Sequence, residues 1–355
     1  MNKSVLQRTA NLFMNIHYFI QKSPGASLYE NTFLRIKKLR EILSFTLWKI
    51  FRSRPFLNTD STSRIISNYG FKNRDYHPAS EPTPLLIGRL KVNIAFHLKP
   101  TRLKYLLETL KQIRNLPFEE ISIVVDTNST ETIDLLRYYD NEAADGVIVH
   151  EDLDHPFKLT WAHRAQMSAA FSDFNYFMYI EDDMIVTTES IKLWSHFLPV
   201  LSSNGYLPGF LRVEENRNGK LVASDFMNKA LPSDIVYVDG SPYLLTPFPY
   251  QAFWIYDKST MAKFMGSKAF LLGDIPYVEG RIRENAALGY ASHPMWNSFS
   301  PKHLLPLNSD LQIDPRCFAF HMPSNYGRLI IPHSGNLGTI PVEQLIDHGP
   351  VRVYK

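Results

Sequence analysis

The stretch YFMYIEDDMIV, residues 176–186, decides the fold. Five apolar or aromatic residues lead into Glu181, Asp182 and Asp183, and three apolar residues follow at once. Three adjacent carboxylates beside a strand that reads as buried repel one another and resist desolvation, because an unpaired buried charge is costly. The chain must deliver them to a place where something compensates them. An open α/β sheet provides such a place, since its ligands bind outside the carboxyl ends of its strands.

The residues upstream predict that sheet. KVNIAFHL (91–98) reads as a strand with Pro100 as its stop, and Leu103, Leu106, Leu107, Leu110 and Ile113 mark one face of a helix. ISIVVDTNST (121–130) is β-branched before it breaks into Asp and Asn, ETIDLLRYY (131–139) is helical, and GVIVH (146–150) is a third strand. LTWAHRAQMSAAFSDF (159–174) is a further helix, and YFMYI is the fourth strand. Alternation at these lengths predicts right-handed βαβ units: an α/β fold with a mostly parallel, Rossmann-like sheet flanked by helices.

Beyond residue 187 the alternation loosens. The sequence predicts a helix over SIKLWSHFLPVL (190–201), starting near Thr187, Thr188 and Glu189. Strands follow over GFLRVEE (209–215) and QAFWIYD (251–257), then a helix within STMAKFMGSKAF (259–270). Pro232, Pro242, Pro247, Pro249 and Pro276 are expected to break the remainder into loops, and these strands need not be parallel.

Residues 1–85 read as a basic helical extension and linker. LRIKKLREILSFTLWKIFRSR (34–54) carries seven Lys/Arg and one Glu, with Leu39, Leu43, Leu47 and Ile50 at helical spacing. Such a helix lies on an anionic membrane surface, or packs on a domain with its basic face solvated; both readings stand. Residues 86–335 form the expected main domain, with a first half at 86–215 and a second half at 216–335. Residues 336–355 are a tail.

Composition narrows the class. The 355 residues are 45% hydrophobic and 21% charged, which is globular rather than disordered. A net charge of +3 does not call for nucleic acid, and none is expected as a partner. A single cysteine, Cys317, rules out an intrachain disulfide framework and favours a reducing compartment. No run approaches the roughly 20 apolar residues that span a bilayer. The opening MNKSVLQRTANLFMNIHYFIQK lacks a continuous apolar core and reads as neither signal peptide nor anchor. The expectation is a cytoplasmic protein peripheral to the inner face of a membrane; the alternative is the secretory lumen, where the sequons at Asn2 and Asn128 would matter.

The simplest partner for clustered carboxylates is a divalent cation, and hard oxygen ligands select Mg²⁺ or Mn²⁺. A cation held by one or two carboxylates keeps positions for water and phosphate, which suits a diphosphate. The bland reading is an acidic surface turn. Asp126 ends the second strand, where a carboxylate can accept from a nucleoside base or ribose. Arg164 follows His163 on the helix before the acidic strand, and Arg pairs well with phosphate oxygens. Each residue alone more often makes a structural hydrogen bond or a surface pair.

A parallel α/β half that ends in Glu-Asp-Asp after a helix carrying His and Arg resembles the GT-A fold of nucleotide-sugar glycosyltransferases. The block LTWAHRAQMSAAFSDFNYFMYIEDDMIV (159–186) is similar to the corresponding stretch of N-acetylglucosaminyltransferase I. The resemblance covers residues 88–215 in architecture and some thirty in motif. It implies a donor nucleotide-diphosphate sugar and a glycan or glycolipid acceptor. It further implies Asp183 as direct metal ligand, with Glu181 and Asp182 on ribose, metal waters or diphosphate. Asp126 would face the nucleoside, with Arg102 or Arg164 near it or the phosphates. His321, in FAFHMPSNY, is the candidate second metal ligand, with His293, His303 and His333 as weaker competitors.

An inverting transfer needs a base for the acceptor proton. DIPYVEGRIRENAALGY offers Asp274, Glu279 and Glu284, none in a WDDW- or ED-type motif; Arg281 and Arg283 could instead neutralise them. Aromatics from Tyr243 to Tyr256 suit either a sugar-stacking groove or ordinary core. The alternatives are a nucleotidyltransferase, against which the glycine-free HLKPTRLKY counts, and a catalytically inactive GT-A-like scaffold. A two-metal hydrolase would need a denser His/Asp set.

Overall fold

The computed structural model describes residues 86–99, 101–140, 142–153, 155–246, 252–267, 270, 283, 301–328 and 338–347. The basic extension, the base candidates Asp274, Glu279 and Glu284, the competitors His293 and His333, and Pro247, Pro249 and Pro276 lie outside these residues. Every described residue belongs to one compact unit, Asn58–Lys355.

The alternation produces the predicted core. Strands β1 (Leu86–Phe96), β2 (Phe118–Thr127), β3 (Gly146–Val149) and β4 (Tyr176–Glu181) pair in parallel, with β11 (Phe253–Asp257) antiparallel on the edge beside β4. The order β11-β4-β1-β2-β3 places a topological switch between β1 and β4, the crevice where open α/β sheets bind ligands. Leu90, Val92, Ile94 and Phe96 form one fully buried face of β1, and Phe177 to Ile180 are buried on both faces of β4. Near-continuous apolar strands are what a sheet covered on two sides requires. Helix α1 (Leu103–Arg114) buries Leu103, Leu106, Leu110 and Ile113, the stripe read from the sequence. Helix α2 (Glu131–Tyr139) follows β2.

The helix expected over 159–174 is shorter and broken. Pro156–Trp161 is a 3₁₀ segment started by His155, whose Nδ1 accepts from the Phe157 N–H, and only α3 (His163–Ala169) is α-helical.

The apolar residues after the acids are a separate strand. The chain leaves the parallel sheet at Glu181, turns through Asp182 and Asp183, and enters a second sheet as β5 (Met184–Val186). That sheet has the order β14-β8-β7-β13-β5, built from β7 (Leu211–Glu215), β8 (Leu221–Ala223), β13 (Phe318–His321) and β14 (Ile340–Pro341). One face is apolar, with Ile185, Leu211, Val213, Leu221, Ala223, Phe318 and Phe320 in a single cluster. Register puts Arg212, Glu214 and His321 on the opposite face. Helix α4 (Thr188–Ser203) is capped by Thr187, whose hydroxyl accepts from Ser190 N–H, as the sequence anticipated.

The loop expected around Pro242 is a hairpin. Strands β9 (Ile235–Val238) and β10 (Ser241–Leu245) meet through Asp239-Gly240, both at positive φ, and Pro242 sits where pairing is just beginning. With β6 (Tyr206–Pro208) and β12 (Lys302–Pro306) they make a third sheet, ordered β6-β12-β10-β9. Helix α5 (Lys258–Met265) packs after β11.

His303, on β12, is buried, and neither ring nitrogen has a hydrogen-bond partner among the described residues. Burial pushes its pKa down to about 4. The unfolded chain takes a proton near pH 6.5 and the folded chain resists it, so stability present above 6.5 is lost as pH falls towards 4. This one group should make urea stability fall by up to about 3 kcal/mol across that window. The slope should flatten in His303→Leu; an unchanged slope would show that His303 is solvated.

Candidate functional site

The acidic turn is fixed by backbone before any side chain acts. The Glu181 N–H donates to Ala252 O at 2.9 Å, and the Met322 N–H donates to Asp183 O at 2.9 Å. Thr109, fully buried on α1, shares its hydroxyl between Asp182 O at 2.9 Å and Met184 O at 3.0 Å. Ala252 holds a left-handed backbone at φ 62°, an uncommon state for a residue with a side chain. Elements from both sheets and one helix therefore clamp three successive residues.

Arg102, just after β1, answers what compensates the acids. Its Nε reaches Asp182 Oδ2 at 2.8 Å and its Nη2 reaches Asp182 Oδ1 at 2.5 Å, a fork-on-fork pair. The same Nη2 lies 2.8 Å from Asp183 Oδ2. Arg283 Nη1 donates to Glu181 Oε2 at 3.3 Å. His321 Nε2 lies 3.3 Å from Asp183 Oδ2, while its Nδ1 lies 2.5 Å from Glu214 Oε1. Asp183 Oδ1 is buried and has no hydrogen-bond partner among the described residues.

Electrostatics separate the two aspartates. Burial, then the charge of Asp183, push the Asp182 carboxyl up, with Arg102 opposing. Burial also works against ionised Asp183, but the His321 hydrogen bond and charge, then Arg102 and Arg283, outweigh it and hold its pKa down. Burial would lower His321 too; its bonds to Asp183 and Glu214 win and raise it to about 9.

These features fit a hard divalent cation. Asp183 offers an ionised carboxylate with one unsatisfied oxygen, and His321 directs a ring nitrogen to the same carboxylate. Among the described residues no group of three or more His, Cys, Asp or Glu side chains converges as a complete cage. Two protein ligands with the remaining positions left to water and phosphate is the usual arrangement for Mg²⁺.

Asp126 lies on the same face of the sheet. Register pairs Ala95 with Asp126 on one side and with Glu181 on the other, so the two acids stand two strands apart across a small residue. That spacing is roughly 10 Å. Asp126 is buried in a polar network: Asn93 Nδ2 donates to Oδ2 at 2.9 Å, Gln166 Nε2 to Oδ1 at 2.6 Å, and His150 Nε2 lies 2.9 Å from Oδ1. The Asn93 oxygen is buried without a partner.

Arg164 goes elsewhere. Its guanidinium lies 3.8 Å over Trp161, near Phe264 and Phe270, and donates to Phe270 O at 3.1 Å. Burial lowers its pKa to about 9. His163 beside it is buried against Tyr179 and Trp254. Gln166, not Arg164, is the residue of α3 that meets Asp126. Of the aromatic run, Tyr243, Phe253, Trp254 and Tyr256 are buried core.

The structure brings together Arg102, Glu181, Asp182, Asp183 and His321, all named from the sequence. Glu214, Thr109, Asn93, Gln166 and His150 were not. Glu214 hid in an apolar strand reading, although a carboxylate inside GFLRVEE is itself a signal that something must pair with it. Asn93, in the apolar KVNIAF, carried the same signal.

No family model matches this chain, and no curated protein matches it. Among solved structures it is similar to S. aureus TarS 1-349, with 15% identity, TM-score 0.30, and 49% of this chain and 48% of that one covered. It is also similar to a mannose-1-phosphate geranyltransferase from Thermus thermophilus, with 10% identity, TM-score 0.32, and coverage of 56% and 67%. A third is the mannosyltransferase PcManGT from Pyrobaculum calidifontis in complex with GDP-Man and Mn²⁺, with 11% identity, TM-score 0.32, and coverage of 58% and 55%. The chain thus spans about half the length of TarS 1-349.

Removing Arg102 should leave Asp182 and Asp183 buried against each other. Arg102→Ala is expected to cost about 3 kcal/mol in metal-free protein, the scale for breaking a buried pair. Mn²⁺ should restore part of that loss in a thermal melt. An unchanged melting temperature in EDTA would mean that Arg102 does not compensate the acids.

Proposed function

We propose that this chain is a metal-dependent glycosyltransferase of GT-A type, moving a sugar from a nucleotide-diphosphate sugar to a hydroxyl of a glycan or glycolipid. The observation that carries the reading is the buried, unpartnered Asp183 Oδ1 with His321 Nε2 beside the same carboxylate. It stands at the carboxyl end of β4, beside the switch point of a parallel sheet.

On this reading Asp183 and His321 hold Mn²⁺ or Mg²⁺. The cation supplies Lewis-acid stabilisation of the charge that develops on the departing diphosphate. Arg102, 28% exposed at its side chain, lies within reach of that charge and can exchange Asp182 for a phosphate oxygen, which suits guanidinium geometry equally well. Glu181 and Asp182 are left to ribose hydroxyls or cation-bound water. Asp126 accepts three hydrogen bonds and has capacity for one more, so with Asn93 Oδ1 it offers acceptors to a nucleoside.

The base is drawn from the segment holding Asp274, Glu279 and Glu284. Arg283, one residue before Glu284 in the sequence, pairs with Glu181. The base takes the acceptor proton as its oxygen attacks the anomeric carbon, and the bond to the diphosphate breaks with its electron pair on the leaving group. On this reading the basic stretch 34–54 suits a membrane-bound acceptor, with the protein peripheral at the cytoplasmic face.

Calorimetric titration with UDP, GDP, CDP and ADP, each with and without Mn²⁺, tests the reading. One nucleotide should bind only with the metal, and Asp183→Ala should abolish that binding while still unfolding in a cooperative melt. No metal-dependent binding of any nucleotide would reduce the acids to a charged turn held by Arg102.

A further inference from the structure

The chain surrounds His321 with a structure that the proposed cation site does not itself require. Glu214 is 1% exposed and buried on β7, one strand from His321 on the same face of the second sheet. Both of its oxygens are assigned. Oε1 faces His321 Nδ1, and Oε2 accepts from the Tyr326 N–H and the Gly327 N–H, each at 2.7 Å. A carboxylate held by two backbone donors cannot rotate or withdraw. It therefore fixes both the ring plane and the identity of the protonated nitrogen, leaving Nε2 as the nitrogen directed at Asp183.

The turn that holds Glu214 is itself fitted closely. A β-carbon on Gly327 would sit 3.0 Å from Glu215 O and 3.1 Å from Val222 Cγ2, tighter than ordinary contact, so the close approach needs glycine. Arg212, on the same sheet face, lies 5.6 Å from the Tyr326 ring centroid and donates to Asp225 Oδ1 at 2.6 Å. A buried carboxylate is an expensive way to brace a turn, since an apolar side chain would fill the space without desolvating a charge. Orienting a histidine ligand is a role that a carboxylate fills, because a carboxylate accepting from the far ring nitrogen sets the tautomer and raises the ligand's basicity.

We propose that Glu214 is a positioning residue for the cation: through His321 Nδ1 it presents Nε2 to a divalent metal shared with Asp183. The inference rests on the reading of Asp183 and His321 as metal ligands. Glutamine cannot replace Glu214, because it can accept from His321 or from the two turn N–H groups with its one oxygen, but not from both.

The test is Mn²⁺ binding by loss of the free-ion electron paramagnetic resonance signal, alone and with saturating UDP or GDP. The proteins are wild type, Glu214→Gln, His321→Ala and the double variant, each checked for a cooperative melt in EDTA. Glu214→Gln should weaken Mn²⁺ binding about 10- to 100-fold. It should add nothing in the His321→Ala background, because its action runs through that ring. Should Glu214→Gln fail to melt cooperatively, Glu214→Asp keeps the charge one methylene further from the ring and should show a smaller loss of the same kind. Wild-type affinity in these variants, or a full additional loss on top of His321→Ala, would overturn the positioning role while leaving the metal reading intact. Failure of the wild type to bind Mn²⁺ under any condition would overturn both.

Discussion

Taking three adjacent carboxylates out of water is the constraint on which the rest of this structure depends. Each buried carboxylate costs several kcal/mol unless paired, and the pairing must come from groups whose own positions are fixed. Arg102 comes from the segment after β1, His321 from the end of β13 and Arg283 from the region following α5. The turn lies where the chain passes from one sheet to the other, so that elements distant in sequence converge on three neighbouring residues. Thr109 and the Ala252 and Met322 backbone groups hold the turn's own backbone.

The parallel core was legible because its signals are local. Apolar strands, a helical stripe and β-branched runs each declare themselves within about ten residues. The second sheet was less so, since its strands are short and pair across long separations: β5 with β13, and β13 with β7. MIV after the acids reads as no element from the sequence alone, because three residues carry no period of their own. The β9–β10 hairpin was readable in principle. Asp239-Gly240 between VYV and SPYLL is a strong two-residue turn signal, and the weight given to Pro242 as a breaker obscured it.

The candidate site divides in the same way. Asp183 and its neighbours announce themselves by composition, since three acids beside an apolar strand demand an explanation. Arg164 had the right residue type, but two helical positions separate the aromatic pocket it occupies from the polar network that Gln166 joins. Helical facing can be read from sequence only to within the precision of the helix start, and here a 3₁₀ segment shifted that start to His163. Glu214 could be suspected from its apolar surroundings, but its partner lies 107 positions away in the chain.

Charge counting connects these pieces. Among the described residues, Glu181, Asp182, Asp183 and Glu214 face Arg102, Arg283 and His321. Counted with every carboxylate ionised and His321 protonated, as its two carboxylate partners favour, four negative charges meet three positive ones; an excess negative charge in so poorly solvated a place agrees with the upward push on the Asp182 carboxyl. On the reading proposed above, Asp183 and a neutral His321 would hold a divalent cation, and the formal sum would then be zero. Arg102 would no longer have to serve two aspartates, and its guanidinium would be free to pair with a phosphate oxygen. The clasp that makes the acids tolerable in the folded chain would then be one that ligands carrying the same compensation could replace.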